Sequence, residues 1–87
     1  MPPLVAIRGG SEAILSGNAF KGGGVAGVLV EGQAIVHGNE IKGANEKFGQ
    51  GIWLWKGSQA MIQGNRLDGF KQSVTVSEGA SLIQDER

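Results

Sequence analysis

Side chains capable of catalysis are few and widely spaced in this chain. Asp68 and Asp85 fall one repeat apart and in different columns, whereas glycoside hydrolysis needs two carboxyl groups about 5 to 10 Å apart across a cleft. His37 is the only histidine, and it lacks the nearby carboxylate or second histidine expected of a metal site or general base. The chain has no cysteine, which removes thiol nucleophiles and thiolate ligands. We therefore predict no catalytic residue, no metal and no cofactor, and a protein that is not an enzyme.

A glycine-rich segment at 22–27 matches the G-x-G-x-x-G spacing of dinucleotide-binding loops. That fingerprint requires a buried strand before it and a helix after it, whose N-terminus holds the pyrophosphate. The residues that follow here, 28–30, are Val-Leu-Val and indicate another strand. We interpret the segment as a turn.

Two tryptophans are the strongest candidates for contact with a ligand or partner. Trp53 and Trp55 are two residues apart on a predicted strand and so share a face, with Leu29 on the same outer face and Phe48 in a long turn nearby. Indole rings can stack on sugars and donate a hydrogen bond, or they can anchor a protein partner. In a third interpretation the turn that carries Phe48 folds over the tryptophans. The sequence leaves these three alternatives open.

The strands that would position these side chains come from an internal repeat. Residues 13–22, 34–43 and 60–69 share an apolar segment, a Gly-Asn pair and a closing glycine, and the pair recurs after 21 and 26 residues. A degraded fourth copy begins at Ser81, and an alternating segment precedes each copy, at 5–7, 28–30, 52–54 and 74–76. Equivalent strands a whole coil apart must pair in parallel, which predicts an all-β solenoid.

Alternation along these strands separates an interior from exposed apolar surfaces. The residues predicted to point inward are Val5, Ile7, Val28, Val30, Ile52, Leu54, Val74 and Val76 in the first strand, Ala13, Leu15, Ala34, Val36, Ala60, Ile62, Ser81 and Ile83 in the second, and Phe20, Ile41 and Leu67 in the third. The second strand also gives an outward apolar stripe typical of an interface, made of Ile14, Ile35, Met61 and Leu82. A structural hydrogen-bonded ladder is predicted at one turn, from Asn18, Asn39 and Asn65.

The repeated pattern Ile/Leu/Val-x-Gly-Asn-x-Ile/Leu/Phe-x-Gly resembles the parallel β-helix repeats of the pectate-lyase-like superfamily. Polysaccharide lyases, NosD-type periplasmic proteins and the repeat domain of some F-box proteins share these repeats. The resemblance implies a right-handed parallel β-helix of about four coils with no substantial helix. It covers a single module, 1–87, with coils at about 4–26, 27–50, 51–72 and 73–87. Because the superfamily includes lyases, hydrolases, epimerases and non-catalytic scaffolds, this fold does not specify a function.

Charge and hydropathy exclude some classes of partner. Eight basic and eight acidic residues give a formal net charge of zero, so no nucleic-acid or anionic-membrane partner is expected. The apolar runs are too short for a membrane span, and the N-terminal residues do not form a signal peptide, which makes an intracellular, soluble protein the default expectation. Uncapped sheet edges at both ends of the predicted stack would invite pairing with other chains.

These observations favour a non-catalytic structural or interaction module. We expect it to assemble with itself, as a homo-oligomer, or with a protein partner, through the apolar stripe and the tryptophan face. The alternative is a carbohydrate-binding or carbohydrate-active β-helix in which Trp53 and Trp55 stack on a polysaccharide. If this alternative were an enzyme, the resemblance implies a polysaccharide lyase or glycoside hydrolase.

Overall fold

The computed structural model describes residues 2–85, with only the backbone described for residue 85. Within this range the chain forms eleven short strands in three parallel sheets, and it contains no helix. Sheet A consists of β1 (Val5–Ile7), β4 (Ala26–Val30), β7 (Gln50–Leu54) and β10 (Gln72–Val76). Sheet B consists of β2 (Glu12–Ser16), β5 (Gln33–His37), β8 (Gln59–Gln63) and β11 (Ser81–Asp85). Sheet C consists of β3 (Ala19–Lys21), β6 (Glu40–Lys42) and β9 (Arg66–Asp68).

Each sheet stacks equivalent strands of successive coils, so the chain is a β-solenoid of about four turns, as predicted. Val5 pairs with Val28, and Val28 pairs with Ile52, in sheet A. In sheet C Phe20, Ile41 and Leu67 follow one another in register. In the glycine-rich segment at 22–27, residues 22–25 form a turn and 26–27 begin β4, so the segment is followed by a strand as predicted.

The interior is a narrow apolar column lined by all three sheets. Its fully buried members include Val28 and Val30 from sheet A, Val36 from sheet B and Ile41 from sheet C. Smaller residues, Ala34 and Ala60, occupy equivalent positions in sheet B. Most inward positions predicted from alternation belong to this cluster or pack against it. Val76 is an exception, because it lies in register with Leu54 in the fourth coil yet is 44% exposed.

In the fourth coil the register of β11 differs by one residue from the predicted register. The pattern predicted Ser81 and Ile83 inside and Leu82 outside, but Leu82 pairs with Ala60 and packs against the core, while Ile83 pairs with Met61 and is 63% exposed. The reason is that residues 77–80 form a four-residue turn of the same length as 55–58 in the third coil. Equal turns place Leu82 level with Ala60, and a shift of one residue moves every side chain to the opposite face.

The predicted asparagine ladder is present at the turn between sheets B and C. The Oδ1 atom of Asn39 accepts hydrogen bonds from the backbone N–H and the Nδ2 of Asn18, at 2.9 and 3.2 Å. Asn65 accepts the same pair from Asn39, at 2.9 and 3.0 Å. The Nδ2 of Asn39 also donates to the Leu15 carbonyl at 2.8 Å. The side chains of Asn39 and Asn65 thus pair backbone groups of the preceding coil that the turn would otherwise leave without partners. Asn39 itself is only 2% exposed.

A second corner is closed by an aromatic ring against glycines. At the corner between sheets C and A the Phe70 ring packs against the core, at positions where Gly27, Gly43 and Gly51 carry no side chain. A Cβ atom built at Gly27 would lie 2.6 Å from Ile41 Cγ2 and 2.7 Å from the Gly51 carbonyl oxygen. These glycines are therefore required for close packing.

We expect Asn39→Ala to lower the free energy of unfolding by about 3 kcal/mol, since it leaves the part-buried Asn18 N–H and Leu15 carbonyl of the first coil without their partners. Asn45→Ala is the matched control, because Asn45 is exposed and its side chain accepts only the Lys47 N–H, within its own loop. Urea unfolding followed by circular dichroism measures both. Equal losses for the two variants would contradict a special role for the ladder.

We expect Gly27→Ala to cost about 2 kcal/mol of stability, because the added methyl group overpacks the corner. Gly9→Ala is the control, since a Cβ atom there would meet nothing within 4 Å. The thermal midpoint should fall for the first variant and stay nearly unchanged for the second. A thermal midpoint for Gly27→Ala at or above that of the wild type would show that the corner can accommodate a methyl group, which contradicts the prediction.

Candidate functional site

The outer face of sheet B carries an exposed apolar strip, which we define as Ile14, Ile35, Met61 and Ile83. These residues follow one another in register across all four coils. Their exposed fractions are 71%, 41%, 43% and 63%. Three of them were predicted from the sequence, whereas the fourth is Ile83 and not Leu82. The strip lies in a broad, open depression of about 770 Å³.

Polar columns border the apolar strip on both sides. On the side where the strands begin, the column consists of Glu12, Gln33, Gln59 and Ser81, all exposed. On the other side Ser16, His37 and Gln63 lie in register and are also exposed. The residue next to Gln63 in the fourth coil is Asp85. Among the side chains described for this face, Glu12 is the one carboxylate.

The outer face of sheet C is different in character. Its outward positions are Ala19, Lys21, Glu40, Lys42, Arg66 and Asp68, all exposed. Arg66 Nε donates to Asp68 Oδ2 at 3.3 Å, so Asp68 belongs to a surface ion pair. Five charged residues among six positions indicate a solvated face, in contrast to the apolar strip.

The second candidate surface is a hollow around the two tryptophans, lined by Gly9, Glu31, Trp53, Trp55, Lys56 and Ser77. Its volume is about 470 Å³. The indole rings meet edge to face, with centroids 5.7 Å apart and an interplanar angle of 75°. Trp53 Nε1 donates to Ser77 Oγ at 3.2 Å, while Trp55 is 40% exposed. Trp55 therefore presents the more accessible ring.

Apart from Trp53, the residues at the hollow come from equivalent positions of successive coils, in the turns directly after the sheet A strands. Each sheet A strand is followed by one residue of the column Arg8, Glu31, Trp55 and Ser77, and the backbone N–H of Trp55 bonds the Val30 carbonyl at 2.9 Å. Within this column Arg8 Nη1 donates to Glu31 Oε2 at 2.7 Å, which is the charge pairing expected between neighbouring coils. The buried Ser58 hydroxyl donates to the Trp55 carbonyl at 2.6 Å and holds the turn in place.

Two residues predicted for the tryptophan surface do not contribute to it as expected. Leu29 lies in register with Trp53 on the outer side of sheet A, but it is 4% exposed and offers no contact surface. Phe48 is 51% exposed and lines a separate hollow with Gly23, Gly24, Ala44, Asn45, Gly69 and Phe70. It precedes β7 whereas Trp55 follows it, so the length of the strand, roughly 16 Å, separates the two.

Four lining residues of the hollow were not among the predicted site residues: Gly9, Glu31, Lys56 and Ser77. Glu31 and Lys56 are charged residues in the turns that follow β4 and β7, and Gly9 lies in the turn that follows β1. Ser77 had no signal of its own, although its position directly after a sheet A strand is equivalent to that of Trp55. Aligning the first residue after each strand would have found it.

No cluster of three or more histidine, cysteine, aspartate or glutamate side chains suited to a metal ion occurs in the described part of the chain. Residues 2–85 also include no helix with the length and apolar character to cross a membrane. In comparisons with known proteins, no family model, no curated protein and no solved structure matches this chain.

Proposed function

We propose that the protein is a non-catalytic β-solenoid module whose work is assembly, through the apolar strip on sheet B. The observation that carries this proposal is the continuity of the strip. Four large apolar side chains, each more than two-fifths exposed, stand one above another on an otherwise polar surface. Exposing such a column to water is unfavourable. Burying it against a partner surface supplies the driving force for association.

The Gly-Asn turns support a finer assignment within the proposal. In each of three coils a glycine with φ between 66° and 68° precedes an asparagine of the ladder. Together with the repeat pattern, this supports placing the chain among the parallel β-helix repeats of the pectate-lyase-like superfamily. Right-handed winding belongs to the same assignment, because it is nearly universal in parallel β crossovers.

We expect Met61→Lys to weaken association at least tenfold, because it places a charge in the middle of the apolar strip. Ala19→Lys is the matched control, since it adds the same side chain to the exposed outer face of sheet C. Sedimentation velocity over a range of protein concentrations measures the association of all three proteins. A wild-type protein that stays monomeric throughout, or one whose association ignores Met61→Lys, would contradict the proposal.

A specific feature favours a second candidate function, which is polysaccharide binding at the tryptophan hollow. The partly exposed indole of Trp55 lies beside Glu31, Lys56 and Ser77, which can hydrogen-bond to sugar hydroxyl groups. This combination of an aromatic face and converging polar groups is typical of small-ligand sites.

If the second function holds, Trp55→Ala should lower the affinity for a soluble polysaccharide about tenfold, because the stacking surface is lost. The probes are polygalacturonate, which is acidic, and dextran, which is neutral, each titrated with detection by calorimetry. Phe48→Ala serves as the control, since Phe48 lies outside the hollow. Binding that survives Trp55→Ala, or no binding of either probe, would remove this candidate.

A further inference from the structure

We propose that the partner of the sheet B face is a second copy of this chain, packed face to face about a two-fold axis so that apolar strip lies on apolar strip. This inference rests on the proposed function and names its partner. It comes from the charge distribution around the strip and from the size of the face.

The borders of the strip select against charged partners. Residues Gln33 and Gln59 flank its centre on one side and His37 on the other, while the described charge on this face is confined to Glu12 in the first coil. A partner recognised by charge would find no described lysine, arginine, aspartate or glutamate beside Ile35 and Met61. The complementary surface is one that is apolar at its centre and bordered by uncharged amides, and this same face meets that description.

Two-fold symmetry also brings no described like charges together. If the coil order of the second copy is reversed, Glu12 faces Ser81 of the other copy and Gln33 faces Gln59. If the strand direction is reversed instead, Glu12 faces Ser16. Either way the carboxylate meets a hydroxyl group, and the amides can both donate and accept.

The same operation on sheet C gives a different result. Its middle strand carries Glu40 and Lys42, and reversing the coil order would set Glu40 against Glu40 and Lys42 against Lys42. Opposed like charges destabilise cross-strand pairs. Self-association through sheet B is therefore favoured over self-association through sheet C in that orientation.

The size of the face fixes the strength of the pair. Four strands about 4.8 Å apart, with five residues at about 3.3 Å each, make a patch of roughly 15 by 16 Å. The area of this patch, roughly 240 Å², is far below the roughly 800 Å² per partner of a standard stable interface. The pair is consequently weak, with dissociation in the micromolar to millimolar range, and it exchanges rapidly between free and bound copies.

Intermolecular paramagnetic broadening tests the geometry. A copy with Glu12→Cys carrying a nitroxide label, and with nitrogen of natural abundance, is mixed with unlabelled wild-type protein enriched in ¹⁵N. We expect concentration-dependent loss of amide signal on sheet B, strongest near Ser81 for reversed coils or near Ser16 for reversed strands. The same label introduced at Ala19→Cys, on sheet C, should broaden sheet B amides much less.

The outcomes separate this inference from the proposed function. Broadening centred on sheet A or sheet C, or no broadening at concentrations where the wild type associates, overturns the face-to-face pair. If Met61→Lys still abolishes association in that case, the strip remains an assembly surface and only its proposed geometry fails. Association that is indifferent to Met61→Lys removes the assembly surface and the pair together.

Discussion

Parallel pairing of equivalent strands is the constraint on which this structure depends. Because neighbouring strands lie about 4.8 Å apart, each side chain must pack against its counterpart from the next coil, inside and outside alike. Inside, the result is a column of aliphatic residues such as Val28 and Ile52, whose counterparts lie in register. At the Gly-Asn turn it places Asn18, Asn39 and Asn65 within hydrogen-bonding distance of one another.

The same constraint made much of the fold readable from the sequence. A stack of identical types leaves a repeated pattern, and the asparagine ladder, the parallel pairing and most of the interior followed from it directly. The prediction exchanged the inward and outward positions of Leu82 and Ile83. The reason is that this apolar pair can be aligned with Met61-Ile62 as easily as with Ala60-Met61. The length of the preceding turn decides between these alignments, and a degraded final copy carries no marker for it.

Side-chain exposure at the candidate sites could be predicted only in part. Alternation correctly placed Leu29 on the outer side of sheet A. It gives the side of a sheet on which a residue lies but not its exposure, and Leu29 is buried there. Phe48 lies close to Trp53 along the chain, but an extended strand separates sequence neighbours rapidly in space. The apolar strip was more predictable, since no segment within residues 2–85 folds over the outer face of sheet B.

Turn length varies between coils at two corners and is constant at the third. The Gly-Asn turn always has two residues, whereas the corner between sheets C and A has four, seven and three at 22–25, 43–49 and 69–71. Lengthening a loop whose ends are already fixed adds little entropic cost, about 0.6 kcal/mol for each doubling. The corner that contains 43–49 can thus accept a longer loop, including a recognition loop. The asparagine ladder would meanwhile hold the coils in register.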